Sequence, residues 1–412
     1  MPILVQKFGG TSVADAYRMH LAARRALRAL LDGRQVVMVV SAMGHTTDHL
    51  VKLAYQVTRR PSKREMDMLL STGEQVSIAL VAMAIHEAGY DAISLTGGQI
   101  GMLTDSRHTE ARIHSIDTQR IRRLLDQGKV VIVAGFQGVD PDFNITTLGR
   151  GGSDTTAVAL AAALGAEICE IYTDVDGVYT ADPRLVPTAR KIGQISYDEM
   201  LELASLGAGV THARSIELGK KFNVPIHVRS SFTDASGTVI MSETPGMEEV
   251  VVRGCTLKRD IGRVTLVGLP NQPGIEAALF EPLARRRVVV DDIIQTVSAG
   301  GTKTSISFTV EGGALGEAQA VAELVAGEHS VAEVAIEPDL ARLSVVGVGM
   351  RSHCGVAAKM FAALAAEQIN IENISTSEIV ISVLVRAADG DRALQAVHRT
   401  FELDRAPTGA GA

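Results

Sequence analysis

The amino-acid sequence predicts an α/β protein, in which a mostly parallel sheet lies between layers of helices. Three observations lead to this prediction. Short apolar runs alternate with helical patterns through the first half of the chain, a polar stretch rich in glycine and proline follows, and the remaining sequence then repeats itself. At 412 residues the chain is also too long for one hydrophobic core, so two or three domains are expected.

Five apolar runs have the length and the flanking residues of buried strands. They are Gln35–Ala42, Asp91–Gly97, Lys129–Gly138, Glu167–Asp174 and Val224–Ser231. Segments with helical spacing of apolar residues lie between them, at Ala14–Leu31, Met66–Ala88 and Thr155–Leu164. Because strands and helices alternate, the strands should run parallel, and functional loops should gather at their carboxyl ends.

The stretch Thr233–Glu248 is rich in Gly, Ser, Thr and Pro, which is typical of a domain boundary. Beyond it, Val264–Val310 runs parallel to Leu343–Val385. Each copy shows a strand, a glycine-containing turn, a helix and two further strands. Another helix follows in each copy, at Leu315–Ala326 and Asp391–Thr400, which predicts two βαββαβ units of ferredoxin-like type.

Three domains are therefore expected. The first should cover residues 1–245, and the two small ones should cover 263–336 and 342–405. A strand at 250–258 is a candidate addition to the last of these.

Composition narrows the class of protein. A formal net charge of -7 supplies no electrostatic reason to expect nucleic acid or an anionic membrane as partner. Cys169, Cys255 and Cys354 are far apart and lack metal-ligand spacing, which favours a reducing cytoplasm. The amino terminus does not resemble a signal peptide, and no run of eighteen uncharged apolar residues predicts a membrane span.

A first glycine turn lies in the stretch LVQKFGGTSV, where Lys7 precedes Gly9 and Gly10 just before a helical pattern. Amides at a helix start lack intrahelical acceptors, so a glycine turn there can bind phosphate. Alternatively, Ser12, with Asp15 three residues on, could be an ordinary helix cap. The lysine precedes the glycines, which excludes the mononucleotide loop of P-loop NTPases. Taken alone, the stretch leaves both readings open.

A second glycine-rich loop opens the helix after Thr146. Arg150 offers a two-pronged donor for carboxylate or phosphate, and Gly151 and Gly152 expose the backbone at the helix start. The alternative is a flexible loop with Ser153 or Asp154 as the helix cap. A carboxylate at Asp154 beside an anion site would need a cation, either a substrate ammonium or a lysine.

A third loop, Tyr172–Arg184, is rich in aspartate. Turn chemistry alone explains Asp176–Gly177 and Asp182–Pro183.

Four motifs, taken together, resemble those of aspartate kinases. They are KFGGTSVAD at Lys7–Asp15, STGEQVS at Ser71–Ser77, TTLGRGGSDTTA at Thr146–Ala157 and TDVDGVYTADPR at Thr173–Arg184. The two repeats resemble the paired ACT domains of the same enzymes, so the resemblance covers nearly the whole chain. It implies the amino acid kinase fold, whose other members phosphorylate acetylglutamate, glutamate, carbamate or uridylate.

The resemblance implies transfer of the γ-phosphoryl group of MgATP to the β-carboxylate of L-aspartate. The product, 4-phospho-L-aspartate, leads toward lysine, threonine and methionine. A carboxylate with a pKa of about 3.9 is ionised at neutral pH and needs no general base. Catalysis should therefore rest on positioning and on electrostatic stabilisation of two approaching anions.

The resemblance also assigns site residues. The expected ATP site comprises Lys7, Phe8, Gly9, Gly10, Thr173, Asp174, Tyr179, Asp182 and Arg184. The expected aspartate site comprises Ser41, Thr47, Glu74, Arg150, Gly151, Gly152, Ser153 and Asp154. Arg150 would bind the α-carboxylate, Glu74 and Asp154 would face the ammonium, and Lys7 and Asp154 would be the catalytic residues. No cluster of metal-ligating side chains is expected, because Mg²⁺ would arrive with ATP.

One position departs from the family pattern. Many aspartate kinases carry a lysine in a Gly-Ala-Lys-Val context after the nucleotide loop, and Gly209 stands there in this chain. One nucleotide contact is therefore expected to be missing, and Lys220 or Lys221 is the only nearby candidate to replace it.

The ACT resemblance implies feedback by lysine, threonine or both. The expected effector residues are Asn271, Gly274, Asp291 and Gln295 in the first copy and Asn370, Ile371 and Ser377 in the second. Binding is expected mainly at the first copy, across an interface of a homo-oligomer assembled through the ACT domains. Met247 offers an internal start for a shorter regulatory subunit. The alternatives are a kinase for another carboxylate and a non-catalytic amino acid sensor.

Overall fold

The structure, a computed structural model, describes residues 1–207, 210–242, 251–329, 331–351 and 353–405. It divides into two compact units. The first comprises Met1–Tyr179 and Lys191–Met247, and the second comprises Thr180–Arg190 and Glu248–Ala412. The chain thus enters the second unit for one short segment before it completes the first, which no sequence pattern indicated.

The first unit contains fourteen strands and seven helices within its described residues. In chain order they are β1 (Ile3–Phe8), α1 (Ala16–Leu31), β2 (Gln35–Val40), α2 (Thr46–Val57), α3 (Lys63–Glu87), β3 (Ala92–Leu95), β4 (Met102–Thr104), β5 (Ile113–Ile116), α4 (Gln119–Asp126), β6 (Val130–Ala134), β7 (Gln137–Val139), β8 (Ile145–Thr147), α5 (Gly152–Leu164), β9 (Ile168–Thr173), β10 (Val178–Tyr179), β11 (Lys191–Ile192), β12 (Gln194–Ser196), α6 (Tyr197–Ser205), α7 (Ala213–Phe222), β13 (Ile226–Ser230) and β14 (Thr238–Met241).

An eight-stranded sheet forms the centre of this unit, in the order β12-β14-β13-β9-β1-β2-β6-β3. All neighbouring strands are parallel except β13 and β14. The central strands are buried along almost their whole length, as their continuous apolar sequences require. The predicted parallel α/β fold is therefore confirmed, and the carboxyl ends of β1, β2 and β9 lie together at one edge.

Two predicted helix starts differ from the structure. Asp15, not Ser12, caps α1 by accepting a hydrogen bond from the amide of Arg18, while Gly10–Val13 forms a separate 3-10 turn. The cap of α5 is Gly151 in the left-handed region, with φ of 69°. Ser153 and Asp154 therefore lie in the first turn of the helix and are not its caps.

The apolar run Lys129–Gly138, which the sequence predicts as one strand, is two strands in different sheets. Phe136 adopts a positive φ of 71° and turns the chain between β6 and β7. β7 then joins a small sheet in the order β5-β4-β7-β8, which the sequence did not predict. A run of apolar residues indicates that a segment is buried but does not indicate where the chain turns. The turn at Phe136 therefore could not be predicted from the apolar pattern.

α3 is the one helix among the described residues that is long and apolar enough to span a membrane. Its mean hydropathy reaches 1.6 over eighteen residues, but 56% of that window is buried inside the protein. It also carries Asp67 and Glu74, both buried. These features are typical of a core helix.

The second unit contains, in chain order, β15 (Gly254–Pro270), α8 (Ile275–Arg285), β16 (Asp291–Val297), β17 (Lys303–Glu311), α9 (Leu315–His329), β18 (Glu333–Val346), α10 (Val356–Ala366), β19 (Asn373–Thr376), β20 (Val380–Arg386) and α11 (Gly390–Thr400). One antiparallel sheet joins all six strands, in the order β16-β17-β15-β18-β20-β19.

The two copies of the repeat share the long strands β15 and β18. Residues Ile261–Val267 of β15 pair with the first half of β18, within the first copy. Residues Gly254–Lys258 pair with the second half of β18 and supply the fourth strand of the second copy. The second copy is therefore a permuted βαββαβ unit, because α11 is the last regular element of the described chain and no strand follows it there. Without Gly254–Lys258, the edge of β18 would be unpaired.

Candidate active site

A cavity of about 320 Å³ lies in the first unit, at the carboxyl ends of β1 and β2 and the start of α5. It is lined by Lys7, Gly10, Ser41, Ala42, Gly44, Thr47, Glu74, Phe136, Gly149, Arg150, Gly151, Gly152, Ser153 and Asp154. The structure thus brings together every residue that the sequence assigned to the aspartate site, along with Lys7 and Gly10. Ala42, Gly44, Phe136 and Gly149 also line it. Ala42 and Gly44 lie at or just after the end of one predicted strand and Gly149 lies in a glycine loop, which are weak signals, whereas Phe136 lies inside a predicted strand and had none.

An ion pair stands at the centre of the cavity wall. Nζ of Lys7 lies 2.6 Å from Oδ1 of Asp154, and the two side chains retain only 11% and 13% exposure. Lys7 is the next-to-last residue of β1, and Asp154 lies in the first turn of α5. Of the two cations that the sequence allowed for Asp154, the structure therefore supplies the lysine.

Close backbone packing explains the glycine turn after β1. The amide of Gly44 donates to the carbonyl of Gly10 at 3.0 Å, and the amide of Ser41 donates to the carbonyl of Phe8 at 3.1 Å. A Cβ at Gly10 would lie 2.8 Å from the carbonyl oxygen of Ala42, so no larger residue fits there. The turn is thereby held against the loop after β2, with Gly10, the first residue of its 3-10 helix, in the cavity lining.

Glu74 projects from α3 into the cavity and is only 3% exposed. The amide of Ala42 donates to its Oε1 at 3.2 Å, whereas Oε2 has no hydrogen-bond partner among the described residues. Burial raises the pKa of Glu74 to about 7, against the lowering effect of two backbone hydrogen bonds. A buried carboxylate with one open oxygen is prepared to receive a cation.

The loop before α5 carries Arg150 at the cavity rim. Gly149 and Gly151 both have positive φ, at 79° and 69°. A Cβ at Gly151 would overlap the ring of His212, so a side chain is excluded by both backbone and space. The first amides of α5, which carry the positive end of the helix dipole, begin at this loop.

Of the residues expected at the nucleotide, Lys7 and Gly10 line this cavity, and the others are not in its lining. The side chain of Phe8 is fully buried and stacks on Tyr172 with ring centroids 4.8 Å apart, so only its backbone could touch a ligand. Thr173 donates to Asp174 at 3.1 Å, just after β9. The hydroxyl of Tyr179 donates to Asp176 at 2.8 Å.

Asp182 and Arg184 belong to the second unit and form an ion pair with each other, with Nη2 to Oδ2 at 2.7 Å. Their expected contact with ATP remains a prediction. Lys220 forms an ion pair with Asp198 at 2.5 Å, and Lys221 lies 5.4 Å from the ring centroid of Phe222. Gly209 lies outside the described residues, so the replacement of the family lysine by Lys220 or Lys221 remains a prediction.

Two of the expected effector residues of the first copy, Gly274 and Gln295, lie at the start of α8, and Asn271 precedes it by a few residues. Gly274 caps this helix with φ of 99°, and Gly355 caps α10 of the second copy with φ of 92°. Nε2 of Gln295 donates to Oε1 of Glu276, in the first turn of α8, at 3.0 Å. Asn271 donates to the carbonyl of Gly301 at 2.8 Å.

Arg342 binds the carboxylate of Asp291 at 2.5 Å, and the expected contact of Asp291 with an effector remains a prediction. Burial opposes the ionisation of Asp291, but the Arg342 guanidinium outweighs it and holds its pKa below the usual range. In the second copy, Asn370 and Ser377 are exposed and Ile371 is half-buried.

Comparisons with known proteins agree with this geometry. A family model described as the amino acid kinase family matches residues 2–230, and an ACT domain model matches residues 343–401. An aspartokinase of Geobacillus stearothermophilus is 53% identical over 403 residues, covering 98% of each chain. Aspartokinase 2 of Bacillus subtilis is 51% identical over 408 residues, covering 99% of this chain and all of the relative. The chain belongs to the aspartokinases.

A solved structure agrees with this family. Aspartokinase III of Escherichia coli, in complex with aspartate and ADP, is 28% identical and matches with a TM-score of 0.78. The match covers 97% of this chain and 99% of that one. The resemblance read from the four motifs and the two repeats is therefore confirmed, as is the expectation of an enzyme with the amino acid kinase fold.

The ion pair in the cavity predicts a specific pattern of stability. Lys7→Met should lower the free energy of unfolding by about 3 kcal/mol, because it leaves the carboxylate of Asp154 buried and unpaired. Urea unfolding followed by circular dichroism measures this loss. The double variant Lys7→Met/Asp154→Asn should recover most of it, and a double variant whose loss equals the sum of the two single losses would contradict the pairing.

Proposed function

We propose that this aspartokinase transfers the γ-phosphoryl group of MgATP to the β-carboxylate of L-aspartate. One observation carries the proposal: a single cavity presents Arg150, the open carboxylate oxygen of Glu74 and the buried cation Lys7. An amino acid with a second carboxylate carries the complementary groups, since its α-carboxylate suits the arginine and its ammonium suits Glu74.

Glu74 also separates this function from its nearest rival. Acetylglutamate has an acylated nitrogen without positive charge, so it would leave the buried carboxylate of Glu74 unpaired. A free ammonium removes that cost. Ser41 and Thr47, which line the same cavity, can donate or accept further hydrogen bonds to the bound amino acid.

Lys7 and the amide of Gly10 are assigned to the transferring phosphoryl group, because the amide of Gly9 already donates to the carbonyl of Tyr172 at 3.2 Å. Because the acceptor carboxylate is already ionised at neutral pH, the protein's task is to offset repulsion between anions. Asp154 fixes the ammonium of Lys7 at the end of β1. Preorganised positive charge of this kind stabilises the transition state without reorganisation during the reaction.

Mg²⁺ enters in this proposal with ATP as the substrate complex. The described residues contain no group of three or more His, Cys, Asp or Glu side chains that could hold a metal ion. In the proposal the Mg²⁺ ion is coordinated mainly by phosphate oxygens and water, with at most one or two carboxylates. Asp174 is the candidate for such a carboxylate. It is exposed and directly follows β9, which neighbours β1 in the sheet.

We also propose a cytoplasmic location. It rests on three free cysteines, Cys169, Cys255 and Cys354, which suit a reducing compartment.

Hydroxamate formation from ATP, hydroxylamine and a panel of acids tests the reaction. L-Aspartate should give product, and acetylglutamate should not. Arg150→Lys should raise KM for aspartate by about tenfold with little change in KM for ATP, because an ammonium cannot form the two parallel bonds of a guanidinium. Product from acetylglutamate, or from no acid at all, would overturn the assignment.

The raised pKa of Glu74 predicts a pH dependence. Below the pKa of about 7, Glu74 takes up a proton and loses its attraction for the substrate ammonium. KM for aspartate should therefore rise as pH falls, by up to roughly tenfold per unit, whereas KM for ATP should not follow it. Glu74→Gln should raise KM at pH 8 and flatten the profile. An unchanged profile in this variant would remove Glu74 from the ammonium site.

Regulation is proposed to act through the first copy of the repeat. Lysine, threonine or both would bind where Gly274 opens the start of α8, with Gln295 and Asn271 as polar contacts, and Asn370, Ile371 and Ser377 would form the weaker second site. β16 is an edge strand of the sheet, so a second subunit can complete the site in a homo-oligomer. An internal start at Met247, which lies outside the described residues, would produce a shorter regulatory subunit.

The effector would act by shifting a population between active and inactive arrangements. A reversal from 1:99 to 99:1 needs a difference in binding free energy of about 5.5 kcal/mol between the two states. Gln295→Ala should weaken lysine or threonine binding in calorimetric titration, because Gln295 lies against the first turn of α8. Gln319→Ala, on α9 of the same copy, is the matched control, because Gln319 donates only to Glu323 of its own helix among the described residues. Equal affinities in wild type and Gln295→Ala would contradict the assignment.

A further inference from the structure

Two charged side chains outside the cavity hold the stem of the Arg150 loop. They are Asp67 on α3 and Arg214 on α7, and neither belongs to the motifs that the sequence analysis singled out. The stem itself is Thr147 and Leu148, directly before the glycine loop. Both side chains also bind the segment His108–Ala111, so each one joins the same two stretches of chain.

Asp67 is fully buried, and its carboxylate accepts hydrogen bonds from both of these stretches. The hydroxyl of Thr147 donates to its Oδ1 at 2.6 Å, and the amide of Thr109 lies 3.0 Å from both of its oxygens. Nδ1 of His108 lies 2.8 Å from Oδ2. A carboxylate can only accept, so Nδ1 carries the proton in this bond. Charge-assisted bonds of this kind are the strongest that a loop stem can make.

Arg214 holds the stem from the side of α7. Its Nη1 donates to the carbonyl of Leu148 and its Nη2 donates to the carbonyl of Ala111, both at 2.9 Å. The amide of Ala111 in turn donates to the carbonyl of Thr147 at 2.9 Å. The planar guanidinium thus fixes the spacing of two carbonyls, which a flexible ammonium cannot do with the same geometry.

These contacts leave the loop little freedom up to the residue before Arg150. Gly149 follows the stem with φ of 79°, and a Cβ there would lie 3.0 Å from the carbonyl oxygen of Thr109. Asp67 also lies two helical turns before Glu74 on α3, and residues seven apart share one face of a helix. Asp67 therefore connects the helix that carries Glu74 with the loop that carries Arg150.

We propose that Asp67 and Arg214 are positioning residues for aspartate, which set the place of Arg150 relative to Glu74 without touching the substrate. This inference rests on the proposed role of Arg150 as the carboxylate ligand. Displacing a binding group by a fraction of an ångström weakens substrate binding while the residues around the phosphoryl group stay in place.

Thr147 provides a conservative test, because it can lose its hydroxyl without losing its shape. Thr147→Val should raise KM for aspartate about tenfold, with kcat within about twofold and KM for ATP unchanged. Thr147→Ser keeps the donor and should restore KM to near the wild-type value. Arg214→Lys should behave like Thr147→Val. Arg122→Lys is the matched control, because Arg122 donates to the carbonyl of Leu164 at the far end of α5.

A double variant separates the stem from the arginine itself. If the stem acts through Arg150, Thr147→Val should add little to KM for aspartate in an Arg150→Lys background. Additive effects of the two substitutions on KM for aspartate would overturn the inference. An unchanged KM for aspartate in both Thr147→Val and Arg214→Lys would also overturn it, and so would an equal change in kcat and in both KM values. If circular dichroism shows that Thr147→Val does not fold, the same comparison is made with Arg214→Lys alone and with Arg214→Lys combined with Arg150→Lys.

Failure of the stem and failure of the proposed function give different results. Arg150→Lys alone raises KM for aspartate if the carboxylate assignment holds, whatever the stem variants do. If Arg150→Lys leaves this KM unchanged, Arg150 is not the carboxylate ligand, and the inference about the stem is then wrong as well.

Discussion

The ion pair between Lys7 and Asp154 is the constraint around which the cavity is built. It joins the end of β1 to the first turn of α5, so it fixes two glycine turns against each other. Neither charge could be buried alone without a penalty of several kcal/mol, and each therefore requires the other in the folded chain. The parallel sheet makes the pairing possible, since it brings the carboxyl ends of β1, β2 and β9 to one edge.

Glu74 differs from this ion pair, although it lies in the same cavity. Folding buries this carboxylate with one oxygen unpaired, and the raised pKa records the resulting cost. A cation bound beside that oxygen would relieve this cost. The cavity thus combines one charge pair completed by folding with one buried acid that has an open oxygen.

The second unit is constrained by strands that belong to both copies of the repeat. β15 and β18 are the two central strands of the six-stranded sheet, and they pair with each other in both copies. Arg342 on β18 binds Asp291 at the start of β16. A change at the start of β16 therefore acts directly on a strand of the other copy. Two copies joined by continuous hydrogen-bonded strands are expected to respond as one body, which is a property that an allosteric unit requires.

The sequence by itself determined the parallel α/β fold, the repeat and the family, and it predicted a set of residues that the structure brings together in one cavity. These features depend on local patterns: apolar periodicity, glycine beside a helix start, and short motifs around each turn. Tertiary structure alone decided that Lys7 is the partner of Asp154, that Phe8 packs in the core and that Asp291 is bound by Arg342. It also decided the break at Phe136 and the register in which Gly254–Lys258, within the strand predicted at 250–258, pairs with β18. Each of these depends on which residues meet across long stretches of chain, and local periodicity carries no information about such pairings.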